Sequence, residues 1–101
     1  MVSIRGGCVY IITNKTHSVL YTGVTSDLMG RIWEHRNKVH PTSFTAKCNC
    51  TILVYYCFYS TIQEAIATEK AIKAGSRQDK IDLISSINIE WKDLYEGLLS
   101  E

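Results

Sequence analysis

Two short runs of β-branched and aromatic residues, 8–13 and 18–24, constrain the fold more than any other part of the sequence. Such runs are typical of β-strands, and the polar residues between them, 14–17, fit a short connection, so we predict a β-hairpin. Each strand carries one tyrosine, Tyr10 in the first and Tyr21 in the second. The hairpin can therefore bring two phenols into one neighbourhood.

The register of the hairpin decides whether Tyr10 and Tyr21 meet. Side chains alternate between the two faces of a strand, so a slip of one residue moves a tyrosine to the opposite face. If Thr13 pairs with Ser18, both phenols share a face. If Thr13 pairs with Val19, they do not. Taken singly, each tyrosine is also consistent with an ordinary half-buried strand aromatic.

A helix is predicted directly after the hairpin, ending at about residue 37. Residues 25–27 supply an N-cap and a first-turn carboxylate for its start. Arg31 and His35 lie four residues apart, on or beside its apolar face. Either could be an ordinary boundary residue, but together beside two tyrosines they indicate phosphate chemistry. The predicted apolar stripe consists of Leu28, Ile32 and Val39.

The rest of the chain predicts a third strand and two further helices. Residues 51–59 form a continuous apolar run, which predicts a strand buried on both faces. A capping box at residues 61–64 begins a helix that ends at Ala74-Gly75, and Ser76-x-x-Asp79 begins the next. The residues predicted to face inward are Ile62, Ala65, Ile66 and Ile72 in the first of these helices and Ile81, Ile84 and Ile87 in the second.

Three segments are predicted to lie outside these elements. Residues 1–7 indicate a mobile leader interrupted by its glycine pair, and residues 38–50 indicate a loop. The tail, residues 88–94, is predicted to turn once and to pack Trp91 and Leu94 against the core.

Glu69 lies on the apolar stripe of its helix, three residues after Ile66. A buried carboxylate is costly unless it is paired or binds a cation. It is therefore expected either to form an ion pair with Arg31 or a lysine, or to act as a magnesium ligand, because Mg²⁺ binds proteins through one or two carboxylates. The sequence favours neither alternative. Asn88, in turn, either ends the last helix or points into a site.

The composition is that of an ordinary globular protein, with 46% hydrophobic and 21% charged residues in 101, which predicts a single domain over residues 1–101. No signal sequence or membrane-spanning run is apparent, so we predict a cytoplasmic protein with no membrane association. The four cysteines are then expected to be free thiols. Cys48-x-Cys50 with His40 suggests zinc only weakly, because no fourth ligand is evident.

The net charge of +1 does not by itself indicate a nucleic-acid partner. Its distribution is uneven, however. Residues 1–60 hold six basic and two acidic residues, whereas residues 61–101 hold five basic and eight acidic residues. A basic face on the first part could meet phosphates, although scattered charges would give the same totals.

Taken in their order along the chain, the two tyrosines, Arg31, His35, Glu69 and Asn88 resemble the motif of a GIY-YIG endonuclease domain, over about residues 8–94. Cys8 and Thr22 depart from the usual glycine and isoleucine without removing a catalytic side chain. The resemblance is closest to small single-domain bacterial proteins similar to the nuclease domain of the excinuclease C subunit. The matching positions are Cys8-Val9-Tyr10, Tyr21-Thr22-Gly23, Arg31-x-x-x-His35, Glu69, and Asn88 before Glu90-Trp91.

This resemblance implies an α+β fold within the broad α/β class, a small and mainly antiparallel three-stranded sheet flanked by helices. It implies hydrolysis of DNA phosphodiester bonds with one divalent cation, Mg²⁺ or Mn²⁺, held by Glu69. A phenol, Tyr10 or Tyr21, would accept a proton from the attacking water or position it. The other implied site residues are Arg31 to neutralise charge, His35 to support the water, a tyrosine or the leaving group, Asn88 to orient the site, and Gly23, Arg36, Lys38, Lys70 and Lys73 to contact DNA.

The function expected from these residues is a structure-selective endonuclease of DNA repair or recombination, acting on branched or single-stranded DNA. One alternative is a catalytically weak nucleic-acid-binding module of the same fold. Another is a protein-interaction domain that uses Trp91 and the tyrosines as its surface. Glu69 discriminates among these alternatives, because an enzyme needs its carboxylate near Arg31 and accessible to metal.

Overall fold

The computed structural model describes residues 6–99, which form three strands and five helices. The strands β1 (Gly7–Thr13), β2 (Leu20–Thr25) and β3 (Ile52–Tyr59) build one antiparallel sheet in the order β2-β1-β3. This arrangement confirms the predicted α+β fold. The helices are α1 (Leu28–Arg36), α2 (Phe44–Lys47), α3 (Ile62–Ala74), α4 (Arg77–Ile87) and α5 (Tyr95–Leu99).

The hairpin pairs in a register that neither predicted alternative contains. Thr13 faces Leu20, Tyr10 faces Gly23 and Ile12 faces Tyr21. This register is two residues away from the alternative that pairs Thr13 with Ser18. A shift of two residues preserves the faces, so both tyrosines still lie on the same side of the sheet.

Asn14 explains why the hairpin connection is longer than predicted. Its Oδ1 accepts hydrogen bonds from the backbone N–H groups of Ser18 and Val19, and Thr13 Oγ1 donates to the Val19 carbonyl at 2.7 Å. An asparagine side chain that satisfies backbone donors in this way replaces ladder hydrogen bonds with a side-chain turn. Strand pairing therefore resumes only at Leu20.

The central strand β1 is buried along its whole length, and its alternating residues supply two cores. On one face, Tyr10 and Ile12 pack with Ile32 of α1 and Tyr95 of α5. On the other face, Ile11 packs with residues of β3 and α4. Helix α3 covers the same face as Ile11. Position 7 lies on that face, and a side chain there would collide with Ile62 and Ala65 of α3.

The glycine pair that was predicted to interrupt a leader instead begins the sheet. Gly7 is the first residue of β1 and pairs with Tyr59. A Cβ added to Gly6 would lie 1.9 Å from the Tyr59 carbonyl oxygen, and one added to Gly7 would lie 2.6 Å from Ile62 Cδ1. Gly6 therefore leaves room for the backbone of Tyr59 and Ser60, and Gly7 leaves room for the Ile62 and Ala65 side chains of α3. The predicted leader otherwise falls on residues 1–5, outside the described part of the chain.

Helix ends follow the predicted local signals. Asp27, Thr61 and Ser76 are N-caps, Ser76 and Asp79 form a complete capping box, and Gly75 caps the C-terminus of α3. Such caps satisfy backbone groups that a helix leaves unpaired at its ends. Because they act within a few residues, they were visible in the sequence.

Several predicted core positions are wrong. Val39 is exposed because α1 ends at Arg36, before the stripe reaches it. Ile66 of α3 and Ile87, the last residue of α4, are also exposed. Strand β3 is fully buried only at positions 53–55, and Phe58 near its end is exposed. The loop predicted at residues 38–50 contains α2, and α5 follows the predicted tail.

The tail connects the end of α1 to the sheet. Asp93 Oδ2 forms an ion pair with Arg36 at 2.6 Å, and its Oδ1 accepts from the Leu53 backbone N–H at 3.2 Å. The Arg36 guanidinium also lies 4.7 Å from the centre of the Tyr95 ring. Trp91 packs against the core of the Ile11 face, as predicted. Within residues 6–99, no helix is both long and apolar enough to cross a bilayer.

Candidate functional site

Tyr10, His35 and Thr45 form a continuous hydrogen-bonded chain on the α1 side of the sheet. The Tyr10 hydroxyl lies 2.9 Å from His35 Nε2, and His35 Nδ1 lies 3.1 Å from Thr45 Oγ1. Tyr10 is 1% exposed and Thr45 is also buried. Strand β1, helix α1 and helix α2 thus each place one member of the chain.

Thr45 is a site residue that the sequence reasoning missed. It lies ten residues beyond His35, in a segment predicted to be a loop, and no motif marks it. Ser43, the N-cap of α2, lies 3.3 Å from the Thr45 hydroxyl and sets the start of the helix that carries it. Only the fold brings this hydroxyl to the imidazole.

Arg31 adds a cation to the Tyr10–His35 pair. Burial raises the pKa of Tyr10 to about 12, while a hydrogen bond from Arg31 and its positive charge act in the opposite direction. Burial, reinforced by the Arg31 charge, lowers the pKa of His35. At neutral pH the pair is therefore a phenol beside an uncharged imidazole.

The neutral His35 ring carries a single N–H, and two positions of that proton fit the two hydrogen bonds. With the proton on Nδ1, His35 donates to Thr45 Oγ1, and Nε2 accepts from the Tyr10 hydroxyl. With the proton on Nε2, His35 donates to the Tyr10 oxygen, and Nδ1 accepts from the Thr45 hydroxyl.

Gly23 makes room for the Tyr10 phenol. It lies directly opposite Tyr10 in the hairpin, and a Cβ at this position would come within 2.4 Å of the Tyr10 hydroxyl oxygen. Gly23 itself is buried. The structure thus gives Gly23 a packing role, and its predicted contact with DNA stays a prediction.

Tyr21 lies on the accessible side of the same imidazole. It is half-buried, and its ring centre lies 6.1 Å from that of His35. Tyr21, Arg31 and His35 line a cavity of about 200 Å³ between α1 and the segment that contains α2. The site is therefore reached from this cavity.

Lys73 lies between Glu69 and Tyr21 and contacts both. Its carboxylate is 8% exposed and forms an ion pair with Lys73 Nζ at 2.7 Å, which also raises the pKa of Lys73. Lys73 Nζ lies 5.7 Å from the centre of the Tyr21 ring. Of the two predicted partners, a lysine and Arg31, the lysine is the one that pairs with Glu69. Arg31 pairs instead with Glu34 at 3.0 Å.

The residues present fit a magnesium-type site better than a zinc site. Among the described residues, no group of three or more histidine, cysteine, aspartate or glutamate side chains could hold a metal ion. One carboxylate suits Mg²⁺, which keeps several waters and takes further oxygens from substrate phosphates. Cys48 and Cys50 are free, and burial raises the pKa of Cys50 to about 11, which disfavours the thiolate that zinc requires.

Asn88 does not join this group. It caps the C-terminus of α4, and its buried amide donates to the carbonyl of Val54 at 3.1 Å and to that of Lys92 at 2.8 Å. Its Oδ1 accepts from the Lys92 backbone N–H. The amide group therefore joins α4, β3 and the tail, and its predicted role in orienting the site stays a prediction.

The predicted DNA contacts fall into three environments. Arg36 is occupied by Asp93 and Tyr95, as described for the tail. Lys38 lies at the rim of the cavity, where its ammonium donates to Asn49 Oδ1. Lys70 is exposed on α3, and Lys73 is half-exposed beside Glu69.

Sequence comparison gives a family match over the part of the chain that holds most of these residues. The GIY-YIG catalytic domain matches residues 6–82, a span that includes both tyrosines, Arg31, His35 and Glu69 but not Asn88. No solved structure matches the chain significantly.

Among similar proteins are UPF0213 proteins from three bacteria. The one from Clostridium perfringens is 39% identical over 88 residues, which cover 87% of this chain and 91% of the relative. That from Staphylococcus haemolyticus is 38% identical over 76 residues, covering 75% and 90% of the two chains. That from Staphylococcus saprophyticus is 39% identical over 77 residues, covering 76% and 92%. The family match over residues 6–82 shows that this chain belongs to the GIY-YIG superfamily of nucleases, and both hairpin tyrosines lie near His35 in the structure.

Proposed function

We propose that this protein is a metal-dependent DNA endonuclease that hydrolyses phosphodiester bonds in repair or recombination and works in the cytoplasm. One observation carries the proposal: the 2.9 Å hydrogen bond between Tyr10 and His35, with Arg31 and Tyr21 around the same imidazole. Phosphodiester hydrolysis needs a proton acceptor, a cation for the developing charge and a place for the attacking water. These groups supply all three.

The Tyr10–His35 pair is the proposed proton acceptor. As water attacks phosphorus, the Tyr10 oxygen takes a proton from the water while its own proton passes to His35 Nε2. The transfer uses neutral His35 in the tautomer whose N–H lies on Nδ1 and donates to Thr45, so that the lone pair on Nε2 faces the Tyr10 hydroxyl. A pKa of about 12 makes Tyr10 a poor base alone, so the imidazole is what makes the transfer possible.

Tyr21 and Arg31 have the remaining roles. Tyr21 lines the cavity and is accessible, so it is suited to position the attacking water. Arg31 lines the same cavity and places its charge beside the Tyr10 oxygen, where it neutralises negative charge that develops on the phosphoryl oxygens.

Glu69 is the proposed ligand for the divalent cation. Such a cation, Mg²⁺ or Mn²⁺, would stabilise the charge on the leaving oxygen. Because Glu69 already pairs with Lys73, the ammonium has to share the carboxylate or move aside when the cation binds.

The test is cleavage of labelled single-stranded, duplex, flap and branched DNA at low salt with Mg²⁺ or Mn²⁺. Glu69→Gln is expected to lower the rate at least 100-fold, as loss of a transition-state electrostatic group does. Glu90→Gln is the matched control, because Glu90 also pairs with a lysine, at 3.0 Å, but is exposed and distant in sequence. Equal cleavage by wild type and Glu69→Gln would contradict the metal site.

The ion pair between Glu69 and Lys73 also favours a second candidate, a nucleic-acid-binding module with weak catalysis. A carboxylate already neutralised by a lysine is a weaker metal ligand. Under this alternative, DNA binds without cleavage on every substrate, and Glu69→Gln binds as well as wild type. The same assay therefore separates the two functions.

A further inference from the structure

Phe44 forms an exposed aromatic wall of the cavity beside the proposed site. It is the first residue of α2 and is 58% exposed. Its ring centre lies 6.5 Å from that of Tyr21, with an angle of 36° between the two planes. An exposed phenylalanine leaves its apolar ring in water, so one that lines a cavity provides a surface for a flat apolar ligand.

Cationic side chains line the same cavity. Arg31 and Lys38 are among its lining residues, and Glu34 is the acidic residue there. Glu34 is held by Arg31 at 3.0 Å, so Lys38 supplies the charge in excess. A cavity with an aromatic wall and a basic rim matches a nucleotide, which carries a base with a flat π-face and a negative phosphate.

The size and position of the cavity narrow the ligand further. Its volume of about 200 Å³ is below the range of about 300–1,000 Å³ typical of drug-sized ligands, so it suits a single base. It shares Tyr21, Arg31 and His35 with the proposed site, so its occupant lies next to the scissile phosphate. In a duplex the bases are stacked inside, and a base reaches such a cavity only if it is unpaired or flipped out.

We propose that this cavity binds an unpaired nucleotide next to the scissile bond, with its base stacked on Phe44 and its phosphate at Lys38. The proposal rests on the proposed nuclease function and specifies its substrate class: DNA with an unpaired nucleotide at the cut, as in a single strand, flap or bulge. A fully paired duplex does not fill the cavity and is bound through its backbone alone.

The test measures binding separately from cleavage, in EDTA. Single-stranded DNA and a matched duplex are titrated by fluorescence anisotropy, and 2-aminopurine in the single strand reports stacking through quenching. Phe44→Ala is expected to weaken single-strand binding about fivefold to 100-fold and to abolish the quenching, because base–aromatic stacking is lost. Duplex affinity is expected to change less than twofold, and Phe44→Trp is expected to retain both signals.

Trp33→Ala is the matched control, since Trp33 is 52% exposed on α1 but does not line the cavity. It is expected to leave single-strand binding unchanged. Equal weakening of single-strand and duplex binding by Phe44→Ala, or no loss of quenching, would overturn the proposal. Stacking without any cleavage of DNA in the presence of metal would contradict the nuclease function and leave the nucleotide site supported. Cleavage without stacking would support the nuclease function and contradict the nucleotide site.

Discussion

At the scale of single residues, Thr45 holds the nitrogen of His35 that does not face Tyr10. Thr45→Val removes this hydrogen-bond partner and leaves the imidazole free to turn or change tautomer. We expect single-turnover cleavage to slow about tenfold, the rate equivalent of one net hydrogen bond of about 1.4 kcal/mol. Thr45→Ser keeps the hydroxyl and is expected to restore the rate. Equal losses in both variants would show that Thr45 acts through packing alone.

Gly23 gives a second prediction at this scale, concerning stability. Gly23→Ala places a methyl group within 2.4 Å of the Tyr10 hydroxyl oxygen and forces the buried ring to move. We expect a loss of about 1–3 kcal/mol in the free energy of unfolding, measured by urea denaturation.

Gly97→Ala is the control for this change. Position 97 lies in α5, where an added Cβ meets no atom within 4 Å. Alanine is favoured over glycine inside a helix, so this variant is expected to be neutral or slightly more stable. If both variants lose the same stability, the close approach of Gly23 to Tyr10 is not what matters.

At the scale of elements, Asn88 joins the end of α4 to β3 and to the tail. Asn88→Ala leaves the buried carbonyl of Val54 without this donor, and we expect a loss of about 2–3 kcal/mol in the free energy of unfolding. Cleavage measured on the folded variant, well below its melting temperature, is expected to stay near the wild-type rate.

Asn37→Ala supplies the comparison for Asn88. Asn37 also caps a helix, α1, and its amide donates to the Trp33 carbonyl at 2.8 Å, but it is exposed. Because water can replace this partner, we expect a loss below about 1 kcal/mol. A folded Asn88→Ala variant that binds DNA but has lost cleavage would instead support the catalytic role predicted from sequence.

The elements themselves were predictable wherever their signals are local. Asp27 and Ser76 predict helix starts because their side chains accept hydrogen bonds from backbone N–H groups only three residues later. The register was not predictable, since it depends on how Asn14 bonds the turn. Thr45 was missed for a related reason: any serine or threonine can pair with a site residue, and only the assembled fold selects one. A lysine partner for Glu69 was predicted, and the structure identifies it as Lys73.

At the scale of the whole molecule, His35 makes stability depend on pH. Its pKa is lowered in the folded state, so the unfolded chain, with a histidine pKa of about 6.5, binds more protons near pH 6. The stability that neutral His35 contributes is therefore present above about pH 6.5 and is lost as the pH falls. We expect the urea midpoint to decrease between about pH 7 and pH 5.

His35→Gln tests the origin of this slope, because glutamine does not titrate. The variant is expected to show a flatter dependence of the urea midpoint on pH over the same range. An unchanged slope in His35→Gln would assign the pH dependence to other groups.

The contacts between the tail and α1 have a consequence for the order in which the protein folds during synthesis. Tyr10, Tyr21, Arg31, His35 and Thr45 all leave the ribosome before Asp93, which joins Arg36 to the Leu53 backbone. Strand β3 and the tail must therefore be synthesised before α1 is held in place. A nascent chain thus carries the hydrogen-bonded residues Tyr10, His35 and Thr45 while it still lacks the contact that holds α1 in place, so the geometry of the site is completed late in translation.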